Sequence, residues 1–170
     1  DIDRAHFAFA FDRIFDREKE GSPPWHAPGD LGGRTRWGVS ERAHPDAWVH
    51  GPPSDEVCRA VYRNRYLPPF APLRALANDR LLDAAIDDGV LRGPVAAIKR
   101  LQWVLGVVPD GVIGPQTLHA ARLVRPGHLT QQYVVERTLR LARVVERNPA
   151  QAIHVVGWIR RALTFLPPAQ

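Results

Sequence analysis

The sequence predicts a mainly α-helical fold with one short strand or hairpin, and three observations support this prediction. Apolar residues recur at the three- and four-residue spacing of amphipathic helices along most of the chain. Pro- and Gly-containing stretches interrupt this pattern at short intervals, as expected for helices joined by short connections. Thr35, Trp37 and Val39 alternate with Arg34, Arg36 and Gly38, a pattern that indicates a short strand or hairpin. The 170 residues suit one domain or two closely packed lobes.

A first helix is predicted before this hairpin. Phe7, Phe11, Ile14 and Phe15 fall on one face of it. It should end near Gly21, where a loop rich in Pro and Gly begins and runs to residue 33.

Further helices are predicted after the hairpin. Ser54 is a typical N-cap, and Pro94 is suited to the first position of a helix that buries Val95, Ile98, Leu101 and Leu105. Trp103 and Trp158 lie on predicted helices and are expected in the core. The predicted helical stretches are 54–66, 72–88 (a short helix and a longer one), 94–105, 117–124, 129–147 and 150–165.

Composition limits the classes of function. The formal net charge is +5 and nearly all cations are Arg, which favours a polyanionic partner such as nucleic acid, anionic lipid or the carboxylate-bearing cell wall. The single cysteine, Cys58, excludes an internal disulfide and is expected as a buried thiol. No His or Cys spacing predicts a metal site. No apolar run could span a membrane, and no secretory signal is apparent.

Two glutamates close the first predicted helix. At about 100° per residue, Glu18 falls at about 0°, within the apolar face, whereas Glu20 falls at about 200°, on the opposite side. Partial burial raises the pKa of a carboxyl group and lets it hold a proton near neutral pH, as a glycosidase acid must. Helix phase therefore favours Glu18 as an acid in a cleft, while a buried acid paired with Arg remains the alternative.

Several segments resemble glycoside hydrolase family 108, whose members are phage and bacterial lysozymes that cut peptidoglycan. The first part of the resemblance lies in FxxAFxxIFxxE from Phe7 to Glu18, DLGGRTRWGVSERAHPD from Asp30 and AVYRNRYL from Ala60. The later segment AAIKRLQWVLGVVPDGVIGPQTLHAA is similar to the peptidoglycan-binding part of that family, and VVGWIRRA to its C-terminal helix. The resemblance implies a lysozyme-like, two-lobed helical domain with a small β-hairpin next to the active site.

The resemblance also implies site residues. Glu18 is the expected catalytic acid by helix register, and Glu20 is the alternative because Gly21 follows it. Asp30 and Thr35 would orient or activate a water on the opposite face of the sugar. The expected substrate-binding residues are Trp25, Gly32, Gly33, Trp37 and Tyr62.

These observations predict a lysozyme-like catalytic part over residues 1–90 and a peptidoglycan-binding part over 91–170. The expected reaction is hydrolysis of the β-1,4 bond between N-acetylmuramic acid and N-acetylglucosamine, without a metal or organic cofactor. Peptidoglycan is the expected partner of a monomer, with anionic envelope polymers as additional partners and no nucleic acid. The protein would be made in the host cytoplasm and reach the wall after holin release or lysis.

Three alternatives remain open at this point. A lytic transglycosylase would also use one glutamate but would leave an anhydro sugar. A non-catalytic wall-binding protein could share the fold. Residues 95–124 also fit a helix-turn-helix DNA binder, although the second helix offers few polar side chains to read bases.

Overall fold

The computed structural model describes residues 33–168, and the chain divides into two units between Pro68 and Pro69. The described residues are mainly helical and contain one antiparallel two-stranded sheet, which confirms the predicted fold class. The first predicted helix and the following loop lie outside the described residues. The division into 1–90 and 91–170 stays a prediction.

The first unit begins with the predicted hairpin. Strand β1 (Thr35–Arg36) pairs with β2 (Val39–Ser40), with Thr35 opposite Ser40 and Arg36 opposite Val39. Trp37 and Gly38 form the two-residue loop with φ values of 46° and 75°. Two successive positive φ values are typical of a type I′ turn, whose twist suits a hairpin. Glycine adopts this conformation without strain, whereas tryptophan does not.

A short helical segment completes the described part of the first unit. A 3₁₀ turn (Pro45–Trp48) precedes helix α1 (Asp55–Val61), which continues into a π-helical turn (Tyr62–Tyr66). Ser54 caps α1 as predicted, because its Oγ accepts a hydrogen bond from the Val57 amide at 3.3 Å. Cys58 is fully buried, as expected, and burial raises the pKa of its thiol to about 11.

The second unit contains five longer helices among its described residues. A 3₁₀ segment (Pro68–Leu76) leads into it, and another (Pro149–Gln151) precedes the last helix. Asn78 caps the first of the five through a hydrogen bond from the Leu81 amide. The helices are α2 (Asp79–Arg92), α3 (Pro94–Val104), α4 (Pro115–Arg122), α5 (Pro126–Arg147) and α6 (Ala152–Leu163).

Close packing of α2 depends on one glycine. Gly89 lies against the ring of Phe70, which is fully buried. A Cβ atom at position 89 would lie only 2.6 Å from the Phe70 ring. The absence of a side chain therefore lets the aromatic ring reach the helix backbone.

A cluster of buried charges joins four helices of this unit. Asp87 on α2 accepts hydrogen bonds from Arg137 on α5 at 2.6 Å and from Arg161 on α6 at 2.9 Å. The neighbouring Asp88 accepts hydrogen bonds from Arg100 on α3 and from the hydroxyl of Tyr133. Asp87, Asp88 and Arg137 are almost completely buried. Because buried charges require partners with good geometry, this network fixes how the helices pack.

The buried face of α3 differs from the predicted one. Ile98 and Leu101 are buried as expected, but Val95 is 57% exposed and Gln102 is 1% exposed. Burial of an amide is tolerated here because both polar atoms of the Gln102 side chain find partners in the turn before α4 or on α4 itself. Helix α3 is therefore rotated about its axis relative to the orientation predicted from its apolar residues alone.

Candidate functional site

The first unit holds Trp37 in a strained conformation at the hairpin tip. The hydroxyl of Tyr62 donates a hydrogen bond to the Trp37 carbonyl at 2.8 Å. The Arg36 guanidinium lies 4.2 Å from the centre of the Trp37 ring. These contacts hold the residue from both its backbone and its side chain. Strained residues of this kind cluster at binding and catalytic sites.

Four of the expected site residues are therefore close together in this unit. Thr35 lies on β1, and its hydroxyl donates to the Gly33 carbonyl at 3.4 Å. Gly33 has a φ of 72°, which glycine adopts freely. Tyr62 is only 2% exposed and contacts Trp37 rather than solvent. The expected roles of these residues stay predictions. Glu18, Glu20, Trp25, Asp30 and Gly32 lie outside the described residues.

A buried histidine links the segment after the hairpin to the π-helical turn. Arg65 Nη1 lies 3.3 Å from His44 Nδ1, and the Tyr66 hydroxyl lies 2.9 Å from His44 Nε2. Because a guanidinium only donates, Nδ1 must accept, which places the imidazole proton on Nε2. Burial lowers the pKa of His44, Arg65 lowers it further, and Asp46 opposes the change. The neutral imidazole is therefore the form that fits this site.

The second unit carries an open groove between α3 and α5. Its volume is about 400 Å³, and its wall includes Trp103, which is 62% exposed. The expectation that Trp103 lies in the core is therefore wrong. An exposed indole flanked by amides can stack on a sugar ring while the amides bind hydroxyl groups. The groove is lined by Trp103, Val104, His128, Gln131, Gln132, Val135 and Glu136.

The sequence interpretation missed this groove, although a signal was present. His128, Gln131, Gln132 and Val135 are spaced i, i+3, i+4 and i+7, so they share one face of α5. Reading that helix for its polar face would have indicated a surface facing solvent. Trp103 is exposed because α3 is rotated relative to the orientation that its apolar residues predict.

The turn between α3 and α4 is held by the buried amide of Gln102. The two hydrogens of its Nε2 are shared among three acceptors, Asp110 at 2.7 Å, the Val112 carbonyl at 2.9 Å and Thr117 at 3.1 Å. Its Oε1 accepts from the Gly111 amide at 2.8 Å. The hydrogen bond from Gln102, followed by that from the Val112 amide, lowers the pKa of Asp110. The turn is thereby fixed at the end of α3 that carries Trp103.

Residues 33–168 contain no cluster of three or more His, Cys, Asp or Glu side chains arranged to hold a metal ion. Within the same range, every helix is too short or too polar to cross a bilayer.

Comparison with known proteins bears on the second unit in particular. Residues 96–163 match a family described as "Predicted Peptidoglycan domain". The chain is also similar to the structure of Brucella abortus SagA, with 26% identity and a TM-score of 0.69, over 95% of this chain and 96% of that one. No protein with a curated function matches significantly.

These matches support a peptidoglycan-related function, with peptidoglycan as the binding target. The matched range contains α3, α4, α5 and α6 and therefore the whole groove around Trp103. It also covers most of the residues that could have formed a helix-turn-helix.

Proposed function

We propose that the protein binds bacterial peptidoglycan through its second unit and hydrolyses the β-1,4 bond after N-acetylmuramic acid. The observation that carries the binding step is the Trp103 groove inside the matched range 96–163. An aromatic platform beside two amides suits an uncharged, hydroxyl-rich glycan.

The cleavage step rests on the residues that resemble the lysozyme family. Glu18 donates a proton to the leaving oxygen, while Asp30 and Thr35 position the attacking water. The held conformation of Trp37 supports this proposal, because it provides a rigid aromatic surface in the turn that directly follows β1, the strand that carries Thr35. The proposed place of action is the cell wall, reached after holin release or lysis.

Cleavage is tested with purified peptidoglycan, wild-type protein and the variants Glu18→Gln and Glu20→Gln. We expect clearing of turbidity by wild type and by Glu20→Gln, and loss of clearing by about a hundredfold or more in Glu18→Gln, because general acid catalysis contributes about 10²–10⁴-fold. Mass analysis of the products should show reducing muramic ends. Anhydro ends would identify a lytic transglycosylase instead. Loss of activity only in Glu20→Gln would move the acid to that residue.

Binding is tested separately by pelleting on intact walls. Trp103→Ala should weaken pelleting about tenfold, which corresponds to about 1.4 kcal/mol for a central aromatic contact. Leu123→Ala is the matched control, because Leu123 is an exposed apolar residue of the same unit outside the groove. Equal pelleting of both variants would reject the groove as the binding surface. Clearing that never occurs, with pelleting retained, would leave a binding protein without catalysis.

A further inference from the structure

A second pocket of the matched region is lined mainly by arginines. Its volume is about 230 Å³, and it lies between the start of α3 and the C-terminal half of α5, next to the end of α2. Ala96, Leu141 and Val144 form its apolar wall. Its cationic residues, called here the arginine pocket, are Arg92, Arg100, Arg140, Arg143 and Arg147.

The positive charge of the arginine pocket is only partly neutralised. Arg100 pairs with Asp88, and Arg140 pairs with Glu136 at 2.6 Å. Among the described residues, no acid forms an ion pair with Arg92, Arg143 or Arg147. Five cations and two anions leave an excess of three positive charges around one small cavity.

A merely solvated basic surface does not explain this arrangement. The Arg100 side chain is only 11% exposed, and its Nε is buried without a hydrogen-bond partner. Arg92 is half-buried, with its guanidinium 4.5 Å from the centre of the Trp158 ring. Burial, and then repulsion by Arg137, lowers the pKa of Arg92. Holding partly buried guanidinium groups near one another is costly, and an anion in the cavity would offset that cost.

The arginine pocket adjoins the Trp103 groove. Arg140 belongs to the pocket, lies 5.8 Å from the centre of the Trp103 ring and pairs with Glu136 of the groove. A polymer bound in the groove would therefore pass the arginine pocket. The glycan of peptidoglycan is uncharged along its repeating sugars, and its stem peptides carry carboxylates.

We propose that the arginine pocket binds a carboxylate of the peptidoglycan stem peptide while the glycan lies in the Trp103 groove. The planar fork of arginine matches a carboxylate through two parallel hydrogen bonds. A cavity of about 230 Å³ fits a peptide side chain or terminus rather than an extended polyanion. This inference rests on the proposed function and assigns the part of the wall polymer that is recognised.

The test measures pelleting on walls in a chain with Glu18→Gln and Glu20→Gln, so that the polymer is not consumed. Arg143→Gln with Arg147→Gln should weaken binding about tenfold, because two charge-assisted contacts are lost from exposed positions. Arg122→Gln with Arg160→Gln removes the same charge from exposed positions outside the pocket and should change binding by at most about twofold.

Walls whose carboxylates have been converted to amides provide the decisive comparison. Amidation should weaken binding of the parent chain about tenfold, and it should add little to the loss in the Arg143 and Arg147 double variant. Equal binding of the two double variants to untreated walls would overturn the proposal. The proposal would also be overturned if amidation weakened the binding of the parent chain and of the Arg143 and Arg147 double variant by the same factor.

Two controls distinguish a stem-peptide carboxylate from a lipid phosphate and from a failure of wall binding. If the Arg143 and Arg147 variant loses binding to vesicles of anionic phospholipid but keeps binding to walls, a lipid phosphate is the ligand and the stem-peptide assignment fails. If the parent chain does not pellet with untreated walls, the proposed function itself fails. If only this inference fails, the parent chain still pellets with walls, and substitutions in the arginine pocket do not change that binding.

Discussion

The two units treat charged side chains in opposite ways. In the first, Arg34 and Glu41 form a bidentate pair at 2.8 and 2.6 Å, with side chains 53% and 38% exposed. In the second, Arg137 and Asp87 pair at 2.6 Å with side chains 1% and 0% exposed. An exposed pair contributes little to stability, whereas breaking a buried pair leaves an uncompensated charge. Charge therefore supports a local turn in one unit and fixes the packing of several helices in the other.

The largest expected effect is at the buried network. Asp87→Ala leaves the guanidinium of Arg137 buried beside a gap, and we expect a loss of about 3–5 kcal/mol in the free energy of unfolding. Asp46→Ala is the matched control, because Asp46 forms an exposed pair with Arg65 at 2.7 Å and should cost at most about 1 kcal/mol. Urea denaturation of both variants measures the difference. Similar losses would remove the contrast between the units.

Close packing in the second unit gives the next largest effect. Gly89→Ala places a methyl group 2.6 Å from the Phe70 ring and should cost about 1–3 kcal/mol through overpacking. Gly157→Ala on α6 meets no atom within 4 Å and should stabilise the protein by about 0.5–1 kcal/mol through helix propensity. Thermal melting of the two variants gives the signs. A gain in stability for both would show that Phe70 moves aside freely.

The hairpin of the first unit provides a smaller effect on stability. Trp37→Asn relieves a positive φ that asparagine tolerates, but it removes the stacking of Arg36. We expect a net change within about 1 kcal/mol by hydrogen exchange over residues 33–41, together with reduced wall clearing. Gly38→Ala is the control, because its φ of 75° should cost about 1–2 kcal/mol with alanine. Full clearing by Trp37→Asn would argue against a role for this ring in cleavage.

The smallest effect is a dependence on pH near His44, because Asp46 compensates part of the repulsion from Arg65. The lowered pKa means that the folded state favours the neutral ring. Stability is therefore complete above about pH 6.5, the ordinary histidine value, and is lost as the pH falls through that value toward the folded pKa. Protection from hydrogen exchange over residues 39–48, taken relative to the intrinsic exchange rate at each pH, should decrease in this window in wild type. His44→Gln should abolish the dependence, and an unchanged profile in that variant would assign it to another group.

Much of the fold follows from local patterns in the sequence. The Ser54 cap, the Pro94 helix start and the hairpin were predictable because caps, turns and periodicity act over a few residues. The rotation of α3 was not, because burial of Gln102 depends on partners in the turn and the helix that follow α3. The pairing of Asp87 was also hidden, since its two arginine partners lie 50 and 74 residues away.

The candidate site likewise contains a part that the sequence predicts and a part that it does not. Gly33, Thr35, Trp37 and Tyr62 were predicted from a motif and lie together in the first unit. The groove around Trp103 and the arginine pocket depend instead on which faces of α3 and α5 meet. Periodicity alone does not determine that relation when polar residues such as Gln102 are buried.

The long separation in sequence between Asp87 and Arg161 has a consequence for biosynthesis. Asp87 leaves the ribosome long before Arg161 does, so a growing chain must wait for its last helix before this carboxylate has both partners. A chain that terminates early retains an incompletely neutralised charge inside its helical unit. Such products should unfold readily and be removed by proteases, so that the complete polypeptide accumulates in preference to fragments.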